Sequence, residues 1–136
     1  DYLFDIQSQR VIERLDARIF VETFFKAYTY PYATMSPSLE QDLEQLRKRY
    51  CTPSFLRGKY AAIKQEYLED GESIDPLINC ADFDAFWYPS ISIDSIDSLT
   101  FRIGYDTDDA KGWRKDIKVM VRRERGRFLL SDIDVE

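Results

Sequence analysis

The sequence predicts an α+β fold in which three N-terminal helices pack on a curved antiparallel sheet of about three or four strands. Up to about residue 70, apolar side chains recur at steps of three and four residues, which indicates amphipathic helices. Beyond Gly71 they alternate with polar side chains, which indicates strands with one buried face. We therefore expect a single domain over residues 1–136, with helices over about 6–70, a hinge over about 72–89 and the sheet over about 90–135.

The first predicted helix covers residues 6–28. Its apolar positions fall largely on one face, and arginine and glutamate occupy positions between them. Pro31 and Pro37 are expected to end this helix, because proline has no backbone N–H to donate. Ser36 is the expected N-cap of a second helix, which would have Pro37 at its first position. The residues expected to face the core are Ile12, Leu15, Ile19, Val21, Phe24, Ala27 and Tyr28.

Two more local signals predict the second and third helices. An apolar stripe from Leu39 to Tyr50 predicts the second helix, and 52-TP-53 repeats the cap-plus-proline signal at the start of the third. Asp70 and Gly71 are expected to close the third helix, because glycine readily adopts the left-handed backbone found at helix ends. Its expected inward-facing residues are Phe55, Leu56, Tyr60, Ile63 and Tyr67.

The strands are predicted from the alternation that follows the hinge. The segment 106-DTDDAKG-112 is expected to form the loop of one hairpin, and 124-ERGR-127 the turn of the next. The last strand loses strict alternation near Leu130, which predicts a β-bulge. The expected strands are residues 90–98, 99–105, 117–121 and 128–133.

The composition excludes several classes of protein. The chain has 25 acidic and 19 basic residues and a net charge of −6, whereas general nucleic-acid binders neutralise phosphates with clustered lysine and arginine. It contains no histidine, which excludes histidine-dependent triads and histidine-ligated zinc. No window approaches the roughly 18 apolar residues that a bilayer crossing requires. We therefore predict no nucleic-acid partner, no cofactor and no membrane-spanning segment.

The charges are unevenly distributed along the chain. Residues 65–109 contain twelve acidic groups and one basic group, whereas residues 111–127 contain eight basic and two acidic groups. Two interpretations fit this pattern. Cross-strand ion pairs would bring the two sets together, each contributing a few tenths of a kcal/mol to about 1 kcal/mol. Alternatively, the acidic set forms a face that binds a basic partner protein.

Neither the cysteines nor the acidic hairpin loop matches a metal motif. Cys51 and Cys80 are 29 residues apart, which fits no zinc spacing, so they are either two buried thiols or one disulfide that joins the two halves. Within 106–117, an EF-hand would require glycine and glutamate where Lys111 and Ile117 stand. We therefore predict no metal site.

The order of helices and sheet resembles the cystatin-like folds typified by the nuclear-transport-factor-2-like superfamily, which are cones with a pocket between sheet and helices. More specifically, 50-YCT-52, 75-DPLINCAD-82 and 126-GRFLLSDI-133 are similar to an uncharacterised bacterial envelope family, domain of unknown function 3828. The resemblance covers about residues 18–134 and departs from the family pattern at Ala81 and Phe128, where glutamine and tryptophan are expected. It implies an exported protein of the periplasm or cell envelope, often held to the membrane by a lipid anchor, with no established reaction.

The segment 75-DPLINCADFD-84, between the helices and the sheet, is the candidate functional site. As a hinge, it would be braced by Pro76 and by asparagine and aspartate side chains that cap turns. As a binding site, its carboxylates would lie at the rim of the cone and hold a cationic or hydroxylated ligand. The aromatic residues that follow either fill the core or line a pocket. The candidate ligand-binding residues are Asp75, Asn79, Asp82, Asp84, Trp87, Tyr88 and Tyr105.

Three functions from different classes are compatible with these features. The first is a non-catalytic module of the cell envelope that binds a small molecule or an envelope protein and forms a homodimer through its sheet. The second is an immunity or inhibitor protein whose acidic face masks a basic partner. The third is a small isomerase or dehydratase with Asp84 or Asp94 as the base and Tyr88 or Tyr105 as the oxyanion donor. The absence of histidine and of a tight catalytic motif favours the first, and no catalytic residue is assigned.

Overall fold

The computed structural model describes the backbone of residues 2–108 and 113–135 and the side chains of residues 16–107 and 114–135. Helices precede a four-stranded antiparallel sheet of order β1-β2-β3-β4, so the predicted α+β class is confirmed. The elements are α1 (Tyr2–Ala33), α2 (Leu39–Tyr50), α3 (Pro53–Phe55), a π-helical turn (Leu56–Tyr60), α4 (Ala61–Glu69), a 3-10 helix (Ala85–Ser90), β1 (Ser92–Ser95), β2 (Thr100–Asp108), β3 (Trp113–Glu124) and β4 (Arg127–Val135).

Helix α1 is longer at its C-terminus than the sequence suggested. It continues through Pro31 to Ala33, so the prediction that Pro31 ends the helix was wrong. A proline this close to the end removes one helical hydrogen bond, and the packing of Tyr32, which is buried one residue later, compensates for that loss. Ile19 was also expected to face the core, but it is 61% exposed. Ala27, expected inside as well, is exposed too. Ile12 and Leu15, also expected inside, lie outside the residues whose side chains are described.

The second helix begins two residues later than expected. Its N-cap is Ser38 rather than Ser36, and its first residue is Leu39 rather than Pro37. The Ser38 side chain makes no capping hydrogen bond. The Ser36 hydroxyl instead donates to Asp42 in the first turn at 2.8 Å, while the Ser38 hydroxyl contacts the same carboxylate at 3.2 Å. The serine and aspartate side chains therefore bond to one another, which takes the place of a simple backbone cap.

The third predicted helix consists of α3, the π-helical turn and α4. The Thr52 hydroxyl accepts the Phe55 N–H at 3.3 Å and Pro53 occupies the first turn, as the sequence predicted. The π-helical turn was not predicted; such a turn contains one extra residue, which changes the face that the following helix presents. Gly71, at φ +79°, ends the helix, and Glu72 N–H reaches the Tyr67 carbonyl at 2.9 Å. That ending was also predicted.

The sheet has the predicted turn and bulge. Arg125 and Gly126 connect β3 to β4 with φ of +51° and +78°, the backbone of a tight two-residue hairpin turn. Met120 pairs with Asp132 and Val121 with Leu130, so the expected bulge lies between these two pairs. The other loop was predicted over residues 106–112, but residues 106–108 belong to β2, and residues 109–112 lie outside the described part of the chain.

The core lies between one face of the sheet and the helices. Alternate residues of β2 to β4 contribute to it, together with a stripe of α1 that includes Val21, Phe24, Phe25 and Tyr28. Its strand members are Ile93, Phe101, Ile103, Tyr105, Ile117, Val119, Val121, Leu130 and Ile133. The core therefore joins the two halves of the chain. Its strand residues follow the predicted alternation, and its helix residues follow the predicted steps of three and four.

The opposite face of the sheet is rich in charged side chains of both signs. Asp106 on β2 pairs with Arg114 on β3 at 3.5 Å, which joins a member of the acidic set to a member of the basic set. At the other edge, Lys59 contacts Asp134 at 2.8 Å and Asp132 at 3.3 Å. The Asp106–Arg114 pair favours the cross-strand interpretation of the charge pattern, whereas Lys59, Asp132 and Asp134 lie outside both charged sets. The homodimer through the sheet stays a prediction, and it would have to cover charged rather than apolar side chains.

Candidate functional site

The carboxylate of Asp75 is the buried polar centre of the segment between helices and sheet. Asp75 is 8% exposed, and its Oδ2 accepts the hydroxyl groups of Tyr28 at 2.6 Å and of Tyr32 at 2.7 Å. Its Oδ1 accepts the Leu77 N–H at 3.0 Å. Tyr28 and Tyr32 are four residues apart on α1, so both hydroxyls reach the same oxygen from one helix face.

The backbone around Asp75 closes into a compact turn. The Asp75 N–H donates to the Cys80 carbonyl at 3.0 Å, and the Asp75 carbonyl accepts the N–H of Asn79 at 2.9 Å. Asn79 has a φ of +53°, a left-handed conformation that asparagine tolerates better than most residues. Leu77 and Ile78 are fully buried within this turn. The hinge interpretation of residues 75–80 therefore has direct support in these contacts.

Arg47 extends this polar cluster from α2. Its Nη1 donates to the Tyr28 hydroxyl at 2.8 Å, so Tyr28 accepts from the guanidinium and donates to the Asp75 carboxylate. The guanidinium also lies 5.2 Å from the ring centroid of Tyr60, a cation–π contact. Burial acts to lower the pKa of Arg47, but its interactions with Tyr28 and Tyr60 outweigh burial and hold that pKa above its usual value. The guanidinium therefore stays charged.

Burial keeps the tyrosines of this region protonated. It raises the pKa of Tyr28 well above the usual value, and the negative charge of Asp75 adds to the effect. The pKa values of Tyr32 and Tyr60 are raised by the same two causes in the same order. Burial also raises the pKa of Tyr105, whose hydroxyl donates to the Ile78 carbonyl. All four hydroxyls therefore remain hydrogen-bond donors at neutral pH.

Because the pKa values of these tyrosines are raised, we expect the protein to lose stability at alkaline pH. In the unfolded chain tyrosine ionises near pH 10, whereas in the folded chain the four buried tyrosines keep their protons. Because the folded state then binds more protons, the stabilising contribution is complete below about pH 10 and is lost as the pH rises further. Each such tyrosine lowers the free energy of unfolding by about 1.4 kcal/mol per pH unit above that point. Urea unfolding at steps from pH 8 to pH 11 measures this slope, and a stability independent of pH over that range would contradict the burial of these groups.

A small cavity opens beside Asp75, between α2, α4 and the segment that follows α4. It has a volume of about 90 Å³ and is partly open to solvent. Cations and carboxylates line it together with apolar side chains. Its lining includes Tyr32, Glu40, Leu43, Arg47, Tyr60, Lys64, Ser73, Ile74 and Asp75.

Two cations approach the same aromatic ring in this cavity. The Lys64 Nζ lies 5.9 Å from the Tyr60 centroid, close to the 5.2 Å of the Arg47 guanidinium. Within residues 16–107 and 114–135, neither cation forms an ion pair, and neither does Glu40. Arg47 makes a single side-chain hydrogen bond in the described part of the chain, which leaves most of its five donors available. The cavity therefore contains charged groups with spare capacity to bind a ligand.

The other predicted ligand-binding residues do not converge with Asp75. Asp82 and Asp84 are exposed, and each accepts a nearby backbone N–H, that of Phe83 at 2.8 Å and that of Phe86 at 3.0 Å. Asp84 lines a separate and wider cavity of about 470 Å³, beside Trp87. The predicted single rim of carboxylates is therefore split between two places.

The aromatic candidates belong largely to the core. Phe83 is 1% exposed and packs against Trp87, Tyr88 and Tyr105 with ring centroids 5.4, 5.3 and 5.0 Å away. Trp87 also stacks on Tyr105 at 5.8 Å. The gap next to Phe83 and Tyr105 has only about 10 Å³, which is at the lower limit of what one water molecule needs. This cluster fills the interior, whereas Phe86 is 90% exposed at the surface.

The residues named for an isomerase are not assembled into a site. Asp84 caps the 3-10 helix, and Asp94 lies opposite Arg102 in the sheet. The Tyr88 hydroxyl accepts from Thr29 at 3.0 Å and donates to the Lys26 carbonyl at 3.3 Å. These side chains are therefore engaged in local contacts at separate places.

Both cysteines are free thiols in the structure, so the disulfide alternative is not formed. Cys51 is buried against β4, where Thr52 N–H donates to the Leu130 carbonyl at 2.9 Å. Burial raises the pKa of the Cys51 thiol to about 12, which makes it a poor nucleophile. Cys80 is partly exposed and closes the turn that begins at Asp75.

Neither a metal-binding cluster nor a membrane-spanning helix is found among the described residues. Among them, no group of three or more acidic or cysteine side chains is placed so that it could hold a metal ion. Within the same ranges, no helix combines the length and the apolar composition that a bilayer crossing requires.

Sequence reasoning missed most of the lining of the Asp75 cavity. It placed Tyr28 in the core and Tyr60 on an inward helix face, but it assigned no role to their hydroxyls or to Arg47, Lys64 and Glu40. One available signal was the occurrence of tyrosines within the apolar helix stripes, because the hydroxyl of a buried tyrosine needs a polar partner. That signal indicates a partner but does not say which one.

The fold has a counterpart among solved structures. A crystal structure at 2.10 Å resolution of a protein of unknown function from Bacteroides thetaiotaomicron VPI-5482 superposes with a TM-score of 0.76, covering 98% of this chain and 99% of that one. The two sequences are 19% identical. No family model matches the chain, and no curated protein matches it. At this identity the likeness shows a shared fold alone.

Proposed function

We propose that this protein is a non-catalytic binding module whose site is the cavity beside Asp75. The observation that supports this most directly is the pair of cations, Arg47 and Lys64, which line one small cavity and, within the described residues, form no direct ion pair with a carboxylate. Partly buried charges without a partner are costly, so they are more often kept where a ligand supplies the opposite charge. The proposed ligand is a small molecule that presents an anionic group.

The geometry supports a small anion better than a large molecule. A volume of about 90 Å³ has room for a few water molecules and is well below the roughly 300 Å³ at which drug-sized pockets begin. Arginine suits this role because its planar guanidinium binds carboxylate or phosphate oxygens in pairs. Tyr28 holds the guanidinium in place from behind, so the group is oriented before a ligand arrives.

We also propose a cellular location for the protein and weigh two alternative functions against the binding module. The resemblance to an envelope family supports export to the periplasm or cell envelope, with an envelope protein as a further class of partner. The inhibitor alternative stays a prediction: the acidic side chains at 66, 69, 70 and 72 are exposed, as it requires. The isomerase alternative has less support, because its proposed base and oxyanion donors are separately engaged.

Removal of one cation from the cavity should weaken anion binding. Lys64→Met keeps much of the side-chain length and removes the charge, and we expect it to lower the affinity for acetate or inorganic phosphate about tenfold. Lys48→Met is the matched control, since Lys48 pairs with Glu44 on the exposed side of α2. NMR titration of ¹⁵N-labelled protein with each anion measures both affinities. Equal binding by the two variants, or no saturable binding by the unmodified protein, would refute the proposed site.

A further inference from the structure

We infer that the ligand of the Asp75 cavity is a small zwitterion of the amino-acid class, with its carboxylate toward Arg47 and Lys64 and its ammonium toward Glu40. This inference rests on the proposed function and adds to it the ligand's second charge. The observation behind it is the charge balance of the lining: Arg47 and Lys64 are opposed by Asp75 and Glu40. A cavity with equal numbers of cations and carboxylates suits a ligand that is neutral overall but carries both signs.

The two carboxylates differ in their availability. Asp75 already accepts three hydrogen bonds, from Tyr28, Tyr32 and the Leu77 N–H, and so has little capacity left for a ligand. Glu40 forms no ion pair within the described ranges and is exposed at the edge of the cavity. Glu40 is therefore the carboxylate that remains free to accept an ammonium group.

The positions of Glu40 and Arg47 fit a small bridging ligand. They are seven residues apart on α2, which places them on the same helix face about 10 Å apart along the axis. They do not pair with each other directly. A molecule with a carboxylate and an ammonium a few atoms apart can occupy the interval, with Leu43 beneath its carbon atoms.

The inference is tested by comparing ligands that carry one or both charges. Glycine and 4-aminobutyrate carry both, acetate carries the carboxylate alone, and methylammonium carries the cation alone. In NMR titrations of the unmodified protein we expect at least one of the two zwitterions to bind about tenfold more tightly than acetate. Methylammonium should show no saturable binding.

Glu40→Gln identifies the group responsible for this preference. We expect it to remove the advantage of the zwitterion while acetate still binds. Glu44→Gln is the matched control, because Glu44 lies on the same helix and pairs with Lys48 away from the cavity. If acetate binds as tightly as both zwitterions and Glu40→Gln changes nothing, the zwitterion is excluded and the anion site stands. If none of the ligands binds, both the inference and the proposed function fail.

Discussion

Asp75→Ala is expected to lower the free energy of unfolding by about 3–5 kcal/mol. The substitution leaves the hydroxyls of Tyr28 and Tyr32 and the N–H of Leu77 without their acceptor in a buried place. It also removes the negative charge nearest to the Arg47–Tyr28 bond. Equilibrium urea unfolding, followed by far-UV circular dichroism, measures the change.

Asp82→Ala is the matched control for this experiment. Asp82 belongs to the same segment, but it is exposed and accepts only the neighbouring Phe83 N–H. We expect its free energy of unfolding to fall by no more than about 1 kcal/mol. If Asp75→Ala were as mild as Asp82→Ala, the two tyrosines would not be bonded to Asp75 in solution, and the account of a braced hinge would fail.

Phe83→Ala is the second substitution with a large expected effect, again about 3–5 kcal/mol. Phe83 is 1% exposed and contacts three aromatic rings, so truncation opens a cavity that the rigid surroundings cannot fill. The same unfolding measurement applies. Phe86→Ala, three residues away and 90% exposed, should stay within about 0.5 kcal/mol of the unmodified protein.

Ligand binding separates the two interpretations of this aromatic cluster. If Phe83 fills the core, Phe83→Ala lowers stability and leaves anion affinity unchanged in conditions where the variant is folded. If the cluster is instead a ligand cage, the variant loses affinity while its stability changes little. The second outcome would contradict the placement of the site beside Asp75.

Local patterns predicted the elements of this fold well. The change of period after Gly71 separates helices from strands, and the Thr52 cap, the Gly71 ending and the bulge at Leu130 each follow from a few neighbouring residues. The errors arose where packing outweighs local preference. Pro31 stays inside α1 because the turn beyond it buries Tyr32, a contact that no short window of sequence contains.

The candidate site was predicted only in part, because its residues are distant in sequence. Asp75 was identified from its segment, whereas Tyr28 reaches it from 47 residues away. Arg47 joins the cluster by its bond to Tyr28, from which it is 19 residues distant. Which helix face meets this segment depends on the π-helical turn and on the crossing of α1 and α2, which periodicity does not specify. Asp82 and Asp84 illustrate the converse. They are close to Asp75 in sequence, but neither lines the cavity beside Asp75.

A crystal structure of the protein grown with a saturating concentration of the tighter-binding zwitterion, glycine or 4-aminobutyrate, would test the central claim most directly. The account predicts ordered density for the ligand in the cavity beside Asp75, with its carboxylate within hydrogen-bonding distance of Arg47 or Lys64. Density in the wider cavity beside Trp87, or an Asp75 cavity that holds only water at saturation, would contradict it.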